Sequence, residues 1–229
     1  MENAMASESP MSSNASKAGD QTRAALLMAG IKLFGTKGFD ATSTREIAAT
    51  ADANIASIAY HFGGKDGLRI ACAEMVGNRI HSVVGPALSA LDPKGDPAAA
   101  QAAFERVLMG VADFMLGEIE ARDIASFMVR EMGTAGPVFD KVYDNFILPV
   151  HRSLCDLLGL ATGHDPESDL IRLGTFSIAG QVVYFRIGHA IVARRMEWKA
   201  VGPDEVEAIK AVILANIRSF ITTHRKQGS

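Results

Sequence analysis

Residues 22–68 read TRAALLMAGIKLFGTKGFDATSTREIAATADANIASIAYHFGGKDGL, and this stretch decides the fold of the N-terminal part of the chain. An amphipathic segment is followed by two short helical segments, which a tight break at residues 51–53 separates. The second short segment ends in Tyr-His-Phe-Gly-Gly-Lys. This order is the helix-turn-helix layout, in which the second helix of the motif enters the major groove of DNA. The sequence therefore predicts a DNA-binding protein.

Apolar spacing sets the limits of the first helix. Leu27, Ile31 and Phe34 recur at helical intervals and predict a helix over residues 20–36. Gly38 follows directly and supplies a C-terminal stop, because glycine adopts the left-handed conformation that commonly ends a helix.

Two short helices follow, and a turn separates them. Hydroxyl side chains at residues 42–44 are suitable N-caps for a helix that ends near the break. Asp52 falls where such a turn often needs a left-handed backbone, which Asp tolerates better than most residues. The third helix is predicted over residues 54–62. Its apolar Ile58 and Phe62 are four positions apart, so they share the inward face.

The rest of the chain also predicts helices, and we find no alternating strand pattern or internal repeat. We therefore expect an all-α protein with a disordered tail at residues 1–16, a three-helix DNA-binding domain at residues 17–64 and a second helical domain at residues 65–229. The prolines and glycine of residues 92–97 predict a loop. Helical patterns cover residues 65–91, 98–120, 124–132, 136–159 (with a break near Pro149), 167–196 and 203–223.

Composition fits a globular protein, with 229 residues, 48% hydrophobic and 21% charged. No run of 18 apolar residues and no leader-like N-terminus occur, so we expect a cytoplasmic protein without membrane contact. The net charge is −3, yet residues 17–70 carry seven Lys and Arg against five acids. This asymmetry weakly supports phosphate contact by the N-terminal part. The two cysteines, Cys72 and Cys155, are expected to be buried reduced thiols.

The helix-turn-helix region resembles the DNA-binding domain of the TetR family of bacterial transcriptional regulators. Three positions depart from the family pattern. Asp52 replaces the usual glycine of the turn, Ala53 replaces a larger aliphatic residue, and Ala59 stands where many members carry a tyrosine that touches phosphate. The expected contact therefore moves toward the neighbouring aromatic residues. The matching residues are Thr44-Arg45-Glu46-Ile47-Ala48, Ala51, Tyr60-His61-Phe62, Lys65 and Leu68.

Later segments resemble the CecR-like branch of the same family, whose members are linked to drug or small-molecule response. The resemblance implies a C-terminal helical domain that binds a small-molecule effector and forms a homodimer. It further implies a repressor that the effector releases from its operator. The segments that carry the resemblance are Phe127-Met-Val-Arg-Glu131, Pro149-Val-His-Arg152 and residues 180–198.

The candidate DNA contacts follow from side-chain chemistry. Thr44 can offer its hydroxyl and backbone N–H to a phosphate at a helix start. The guanidinium of Arg45 suits guanine, and Ile55 can pack on a thymine methyl. Each also has a structural explanation, as a helix cap or a solvated surface residue. The full predicted set is Thr44, Arg45, Asn54, Ile55, Ala56, Ser57, Tyr60, His61 and Lys65.

The candidate effector contacts are aromatic or polar residues on apolar helix faces. Such aromatics are usually core, and a buried polar group needs either a ligand or a neighbouring side chain as its partner. His151 and Cys155 share a helix face, but two ligands are too few for a structural zinc site. We therefore expect no metal, no cofactor and no catalytic residue. The predicted contacts are Phe114, Phe127, Glu131, His151, Gln181 and Tyr184.

The last two predicted helices carry apolar stripes that are wider than one core contact needs. In the resembling family these helices form a four-helix interface between two subunits. A twofold homodimer matches a palindromic operator in double-stranded DNA. The stripe residues are Ile171, Phe176, Ile178, Val182, Val183 and Ile187 on one helix, and Val206, Ile209, Val212, Ile213, Ile217, Phe220 and Ile221 on the other.

Two alternatives stay open. A helical enzyme that retains a helix-turn-helix as an oligomer contact would need a paired nucleophile and base, which the sequence does not display. A DNA-binding module controlled by a protein partner would need no ligand pocket. An enclosed cavity of about 300–1,000 Å³ would favour a small-molecule effector, whereas a filled core would favour the protein partner.

Overall fold

The computed structural model describes residues 10–89, 95–117, 120–133 and 136–226, and every regular element in these ranges is helical. The predicted all-α class is confirmed. The chain divides into two compact units, Met1–Cys72 and Ala73–Ser229. The helices are α1 (Pro10–Lys37), α2 (Thr44–Thr50), α3 (Ala56–Phe62), α4 (Lys65–Ser89), α5 (Pro97–Gly117), α6 (Glu120–Met132), α7 (Pro137–Val142), α8 (Leu148–Thr162), α9 (Asp169–Ile187), α10 (His189–Met196) and α11 (Pro203–His224), with a π turn (Tyr143–Ile147) between α7 and α8.

Helix α1 is longer than the sequence predicts. It begins at Pro10 rather than near residue 20, so residues 10–16 are helical instead of belonging to a disordered tail. Residues 1–9 of the predicted tail lie outside the described residues. Proline is tolerated in the first turn of a helix, and residues 11–19 contain no other proline. No residue between 11 and 19 therefore prevents α1 from beginning as early as Pro10.

The first unit extends into α4. The thiol of Cys72 is completely buried, and its Sγ lies 3.5 Å from the carbonyl oxygen of Leu27 in α1. Leu68, one turn earlier, is also fully buried. These contacts place the boundary between the units after Cys72, whereas the sequence predicts it after residue 64. The first turns of α4 belong to the N-terminal core because their apolar side chains complete it.

The turn of the motif has the predicted local structure. Ser43 caps α2, since its hydroxyl accepts a hydrogen bond from the backbone N–H of Glu46 at 3.2 Å. Asp52 has a left-handed backbone with φ 49°, as its position between α2 and α3 predicts. The Asn54 side chain accepts a hydrogen bond from the backbone N–H of Ala56 at 2.9 Å. Side-chain hydrogen bonds therefore support the start of α2 and the start of α3.

The second unit is built around α5, which packs against α8, α9 and α11. This core corrects part of the dimer prediction, because eight stripe residues are buried within their own chain. Periodicity marks an apolar face but does not say what covers it. Of the stripe, Phe176, Ile187 and Val212 remain about half exposed. The buried residues are Ile171, Ile178 and Val182 of α9 and Val206, Ile209, Ile213, Ile217 and Ile221 of α11.

Polar pairs hold α11 against α5. The Arg218 guanidinium donates to Glu105 at 2.9 Å and lowers the pKa of that carboxyl. Lys210 contacts Asp113 at 2.6 Å, and this hydrogen bond raises the pKa of the Lys210 ammonium. Both acids project from α5, so α11 is held in register with α5 at two points along its length.

Two of the predicted long helices are broken. Residues 136–159 are interrupted by the π turn Tyr143–Ile147, and Pro149 lies harmlessly in the first turn of α8. Residues 167–196 form α9 and α10, which bend by 75° at the break. Among the described helices, none alone has the length and hydropathy of a membrane span. Helices α9 and α10 have that length and hydropathy only when they are taken together across the bend.

The left-handed backbone at Asp52 gives a prediction for stability. Replacing Asp52 with glycine should raise the free energy of unfolding by up to about 1 kcal/mol, because glycine adopts positive φ without steric cost. Ala53→Gly is the matched control, since Ala53 is not among the positive-φ residues. It should lower the free energy of unfolding by roughly 0.4–1 kcal/mol. Urea unfolding followed by circular dichroism measures both, and equal losses in the two variants would contradict the left-handed turn.

Candidate nucleic-acid interface and helical cavities

Helix α3 has one buried side and one exposed side. Ile58 is 1% exposed and faces the core of the first unit, whereas Ile55 and Tyr60 are 47% and 85% exposed. Asn54 and Ala56 lie in solvent beside them. Large apolar groups that the fold itself does not cover are a sign of a binding surface. The structure thus brings four of the predicted contact residues together on one accessible surface.

The remaining predicted residues of α3 lie at the edge of this surface. Ser57 and His61 are half-buried. The Tyr60 ring meets the His61 ring edge-on, with centroids 4.9 Å apart. The pair therefore presents a phenol hydroxyl and an imidazole side by side, and both groups can hydrogen-bond to a phosphate or a base edge.

Helix α2 contributes two predicted residues at its start. Ser43 is the residue that caps the helix, so the cap explanation does not apply to Thr44. Thr44 is half-buried and Arg45 is exposed. Glu46 forms an ion pair with Lys37 of α1, which ties the first turn of α2 to the end of α1. Arg45 is thus the accessible cation of this turn.

Lys65 begins α4 and is held on an aromatic ring. Its Nζ lies 4.2 Å from the centroid of the Phe39 ring, and the guanidinium carbon of Arg69 lies 4.6 Å from the same centroid. In a cation–π contact of this kind the charged group itself lies over the ring, so the ring restrains the position of the charge. Two positive charges are therefore positioned within the first two turns of α4.

The junction between α3 and α4 is unusually close. An ideal Cβ at Gly67 would lie 1.8 Å from the carbonyl oxygen of Phe62, so no side chain fits there. The last turn of α3 and the first turn of α4 are consequently in direct backbone contact. The sequence signals this position only as a glycine near a helix start.

Helices α2 and α3, their left-handed turn and the support of α1 define a helix-turn-helix DNA-binding protein. Family models assign both parts of the chain. Residues 26–72 match bacterial regulatory proteins of the tetR family, and residues 100–222 match the C-terminal domain of the HTH-type transcriptional dual regulator CecR. The chain belongs to the TetR family of bacterial transcriptional regulators and carries a CecR-type C-terminal domain. It is a DNA-binding transcriptional regulator, in a family that does not consist of enzymes.

Individual relatives agree with this assignment. The chain is 29% identical over 204 residues to the HTH-type transcriptional dual regulator CecR of Shigella flexneri, covering 87% of this chain and 91% of the relative. The regulatory protein RaaS of Mycobacterium tuberculosis is 42% identical over 65 residues, which are 28% of this chain and 30% of the relative.

Solved structures show the same fold. A TetR-like regulator from Rhodococcus sp. RHA1 matches with a TM-score of 0.65 at 20% identity, covering 88% of this chain and 96% of that chain. AibR, solved in complex with isovaleryl coenzyme A and operator DNA, matches with a TM-score of 0.64 at 16% identity, covering 85% of this chain and 96% of that chain.

The second unit contains a cavity of about 570 Å³ between the π turn, α8 and α9. His151 stacks on Phe176 in its wall, with ring centroids 3.9 Å apart. His151 Nε2 lies 3.2 Å from the carbonyl oxygen of Arg172, and Nδ1 lies 3.6 Å from Cys155 Sγ. Burial raises the pKa of the Cys155 thiol. The described residues contain no group of three metal-ligating side chains, so the His151–Cys155 pair has no third ligand there.

A second, apolar cavity of about 180 Å³ lies beside the first and shares Ile147, His151 and Phe176 with it. Phe146 of the π turn faces Gly77 of α4, and an ideal Cβ at Gly77 would lie 2.3 Å from the Phe146 ring. The absence of a side chain at Gly77 therefore makes room for the ring. The other lining residues are Ile80, Met128, Val142, Val150, Leu154, Thr175 and Ala179.

Of the six predicted effector contacts, His151 lies in the wall of both cavities. Phe114, Phe127 and Glu131 are buried and do not line these two cavities. Gln181 accepts a hydrogen bond from Asn216 at 2.8 Å, and Tyr184 is 56% exposed. Helical spacing groups aromatic residues on a face, but the cavities form where a helix is irregular. Phe146 and Met128, which line the second cavity, are outside the predicted set.

The contact between Gly77 and Phe146 gives a second prediction. Gly77→Ala should unfold more easily than Gly110→Ala by about 1–3 kcal/mol, because the new methyl group overpacks the Phe146 ring. Gly110 of α5 is the matched control, since a Cβ there meets nothing within 4 Å. Adding Phe146→Ala to Gly77→Ala should recover part of the loss. Equal stability of the two alanine variants would contradict the described ring position.

Proposed function

We propose that this regulator is a homodimeric repressor that a small-molecule effector releases from a palindromic operator in double-stranded DNA. The observation that carries the proposal is the exposed Ile55 and Tyr60 on α3. Similarity to AibR supports it, because that protein was solved with both isovaleryl coenzyme A and operator DNA. A DNA target implies a cytoplasmic location, and no catalytic reaction is assigned to the chain.

The predicted DNA contacts divide into two chemical groups. Arg45, Asn54 and Ile55 face outward and suit base edges, since guanidinium, amide and aliphatic groups read guanine, adenine and the thymine methyl respectively. Thr44, Ser57, Tyr60, His61 and Lys65 suit phosphates, and Ala56 lets the helix approach closely. Base contacts give specificity, whereas phosphate contacts give affinity that falls with salt.

Effector control requires two states that the effector binds with different affinity. A pocket of about 570 Å³ in the second unit is large enough for a small molecule and supports this proposal. It is partly open to solvent, so it is not the enclosed cavity that would decide against a protein partner. Lys65 of the predicted DNA contacts and Gly77 lie on the same helix, α4. Phe146 contacts α4 at Gly77, so a molecule that displaces this ring would act directly on α4.

The dimer surface is proposed on the outer faces of α9 and α11. Leu173, Phe176, Tyr184 and Ile187 recur along α9 and are all at least half exposed. Val212 is 54% exposed on α11, and the exposed alanines 208, 211 and 215 lie on the same side of the helix. The inner faces of the same helices are already filled, so the outer faces are the ones left for a second subunit.

The operator contact is tested by Tyr60→Ala. This change should weaken operator binding by about 1.5–3 kcal/mol, the usual value of a hydrogen bond to a charged group such as a phosphate. The free energy of unfolding should stay unchanged, because Tyr60 is 85% exposed. Gel-shift titration with an operator selected from a random DNA library measures the affinity. An operator affinity that Tyr60→Ala leaves unchanged would contradict a DNA contact by this side of α3.

Lys65→Met separates phosphate contact from base contact in the same assay. The variant keeps an apolar stem on Phe39 but loses the charge, so it should neutralise about one phosphate fewer. The slope of the logarithm of the binding constant against the logarithm of salt concentration should then become shallower by roughly 0.9. Lys32→Met is the control, since Lys32 is an exposed lysine of α1 outside the proposed set.

The dimer surface is tested by Val212→Glu. A carboxylate in an apolar interface between subunits should shift the protein toward monomers, because an unpaired buried charge costs several kcal/mol. Analytical ultracentrifugation measures the shift, and Val212→Ala should remain dimeric. A dimer that Val212→Glu leaves intact would place the interface elsewhere.

A further inference from the structure

A third cavity, of about 300 Å³, lies at the bend between α9 and α10. Its polar side chains are basic or neutral, and none of the described residues in its wall is acidic. Arg122, Arg186, His189 and Lys199 supply the polar part of the wall. The apolar part comes from Leu116, Phe185, Ala193 and Val201.

Arg186 is the central residue of this cavity. It is 9% exposed, and its Nη2 is buried without a hydrogen-bond partner among the described residues. It is the single side-chain atom of this kind within them. A buried charged donor without a partner is costly, and native proteins rarely keep one that has no use.

The surrounding charges do not neutralise Arg186. Burial lowers the pKa of this guanidinium, and the positive charge of Arg122 lowers it further. Asp123 acts in the opposite direction with a smaller effect. The wall therefore combines a desolvated positive charge with two more cationic side chains, Arg122 and Lys199, at its rim. Such a site attracts a negative charge from solution.

We infer that this cavity binds a small organic anion, with a carboxylate or phosphate group on Arg186 and a short apolar group against Leu116, Phe185 and Val201. The planar guanidinium matches the geometry of an oxyanion, and the cavity volume suits a small molecule. An anionic ligand would accept a hydrogen bond from the unpaired Nη2 atom and would also neutralise the excess positive charge of the wall. As an effector site this inference rests on the proposed function, whereas binding itself does not.

Isothermal titration calorimetry on the full-length protein without DNA tests the site. The probes are benzoate, phenyl phosphate and benzamide, with ionic strength held constant. Benzoate or phenyl phosphate should bind at least about tenfold more tightly than benzamide, because a charge-assisted hydrogen bond is lost with the neutral amide. The tighter of the two anions identifies the preferred oxyanion. Benzamide binding as tightly as both anions, or no binding by any probe, would overturn the inference.

Arg186→Met tests the residue itself and should weaken anion binding by roughly tenfold or more. An apolar side chain of similar length in place of a buried charge is commonly tolerated. If circular dichroism nevertheless shows unfolding, Arg122→Gln combined with Lys199→Gln at the exposed rim should also weaken binding severalfold. Arg194→Met is the matched control, because Arg194 is an exposed arginine of α10 outside the cavity wall. The inference would be overturned if Arg186→Met folds and binds the anion as tightly as the unaltered protein, or if the rim double variant does so where Arg186→Met unfolds.

Operator affinity with and without the bound anion tests the effector role separately. Anion binding that weakens the operator complex supports both the site and its role. Binding that leaves operator affinity unchanged keeps the site and removes it from the proposed release mechanism. Failure of anion binding in a protein that still binds its operator overturns the inference alone.

Discussion

The left-handed turn at Asp52 is the constraint on which the proposed DNA-binding surface depends. It reverses the chain directly after α2, and the backbone N–H of Ala53 closes it by donating to the Ala48 carbonyl at 2.9 Å. Because the reversal is so short, α3 can bury Ile58 while its opposite side stays in solvent. The exposed Ile55 and Tyr60 are thus a consequence of turn geometry as much as of side-chain choice.

Cavities in the second unit occur where helices are irregular. Regular helices pack at close to crystalline density, with few voids larger than a water molecule. The π turn at Tyr143–Ile147 borders the cavity that contains His151, and the 75° bend after α9 borders the one that contains Arg186. π turns inserted in helices are often found at functional sites. The two irregularities therefore lie beside open volume within the second unit.

The sequence predicts best what local chemistry determines. The stop at Gly38, the hydroxyl cap before α2 and the left-handed Asp52 each depend on a few neighbouring residues, and all were found. The helix breaks were not found at their true places, because the π turn depends on Phe146 meeting Gly77 of another helix. The α11 stripe was interpreted as an interface because periodicity cannot distinguish the core of one chain from a contact between two. Arg186 carried a signal that was missed: one cation within the apolar run before Gly188.

The close junction at Gly67 fixes the spacing between α3 and α4. The Phe62 carbonyl occupies the space that a Cβ at Gly67 would need. The start of α4 therefore packs directly against the end of α3, and any larger residue at position 67 would force the two backbones apart. The distance between the proposed contacts on α3 and Lys65 of α4 thus depends on this one glycine.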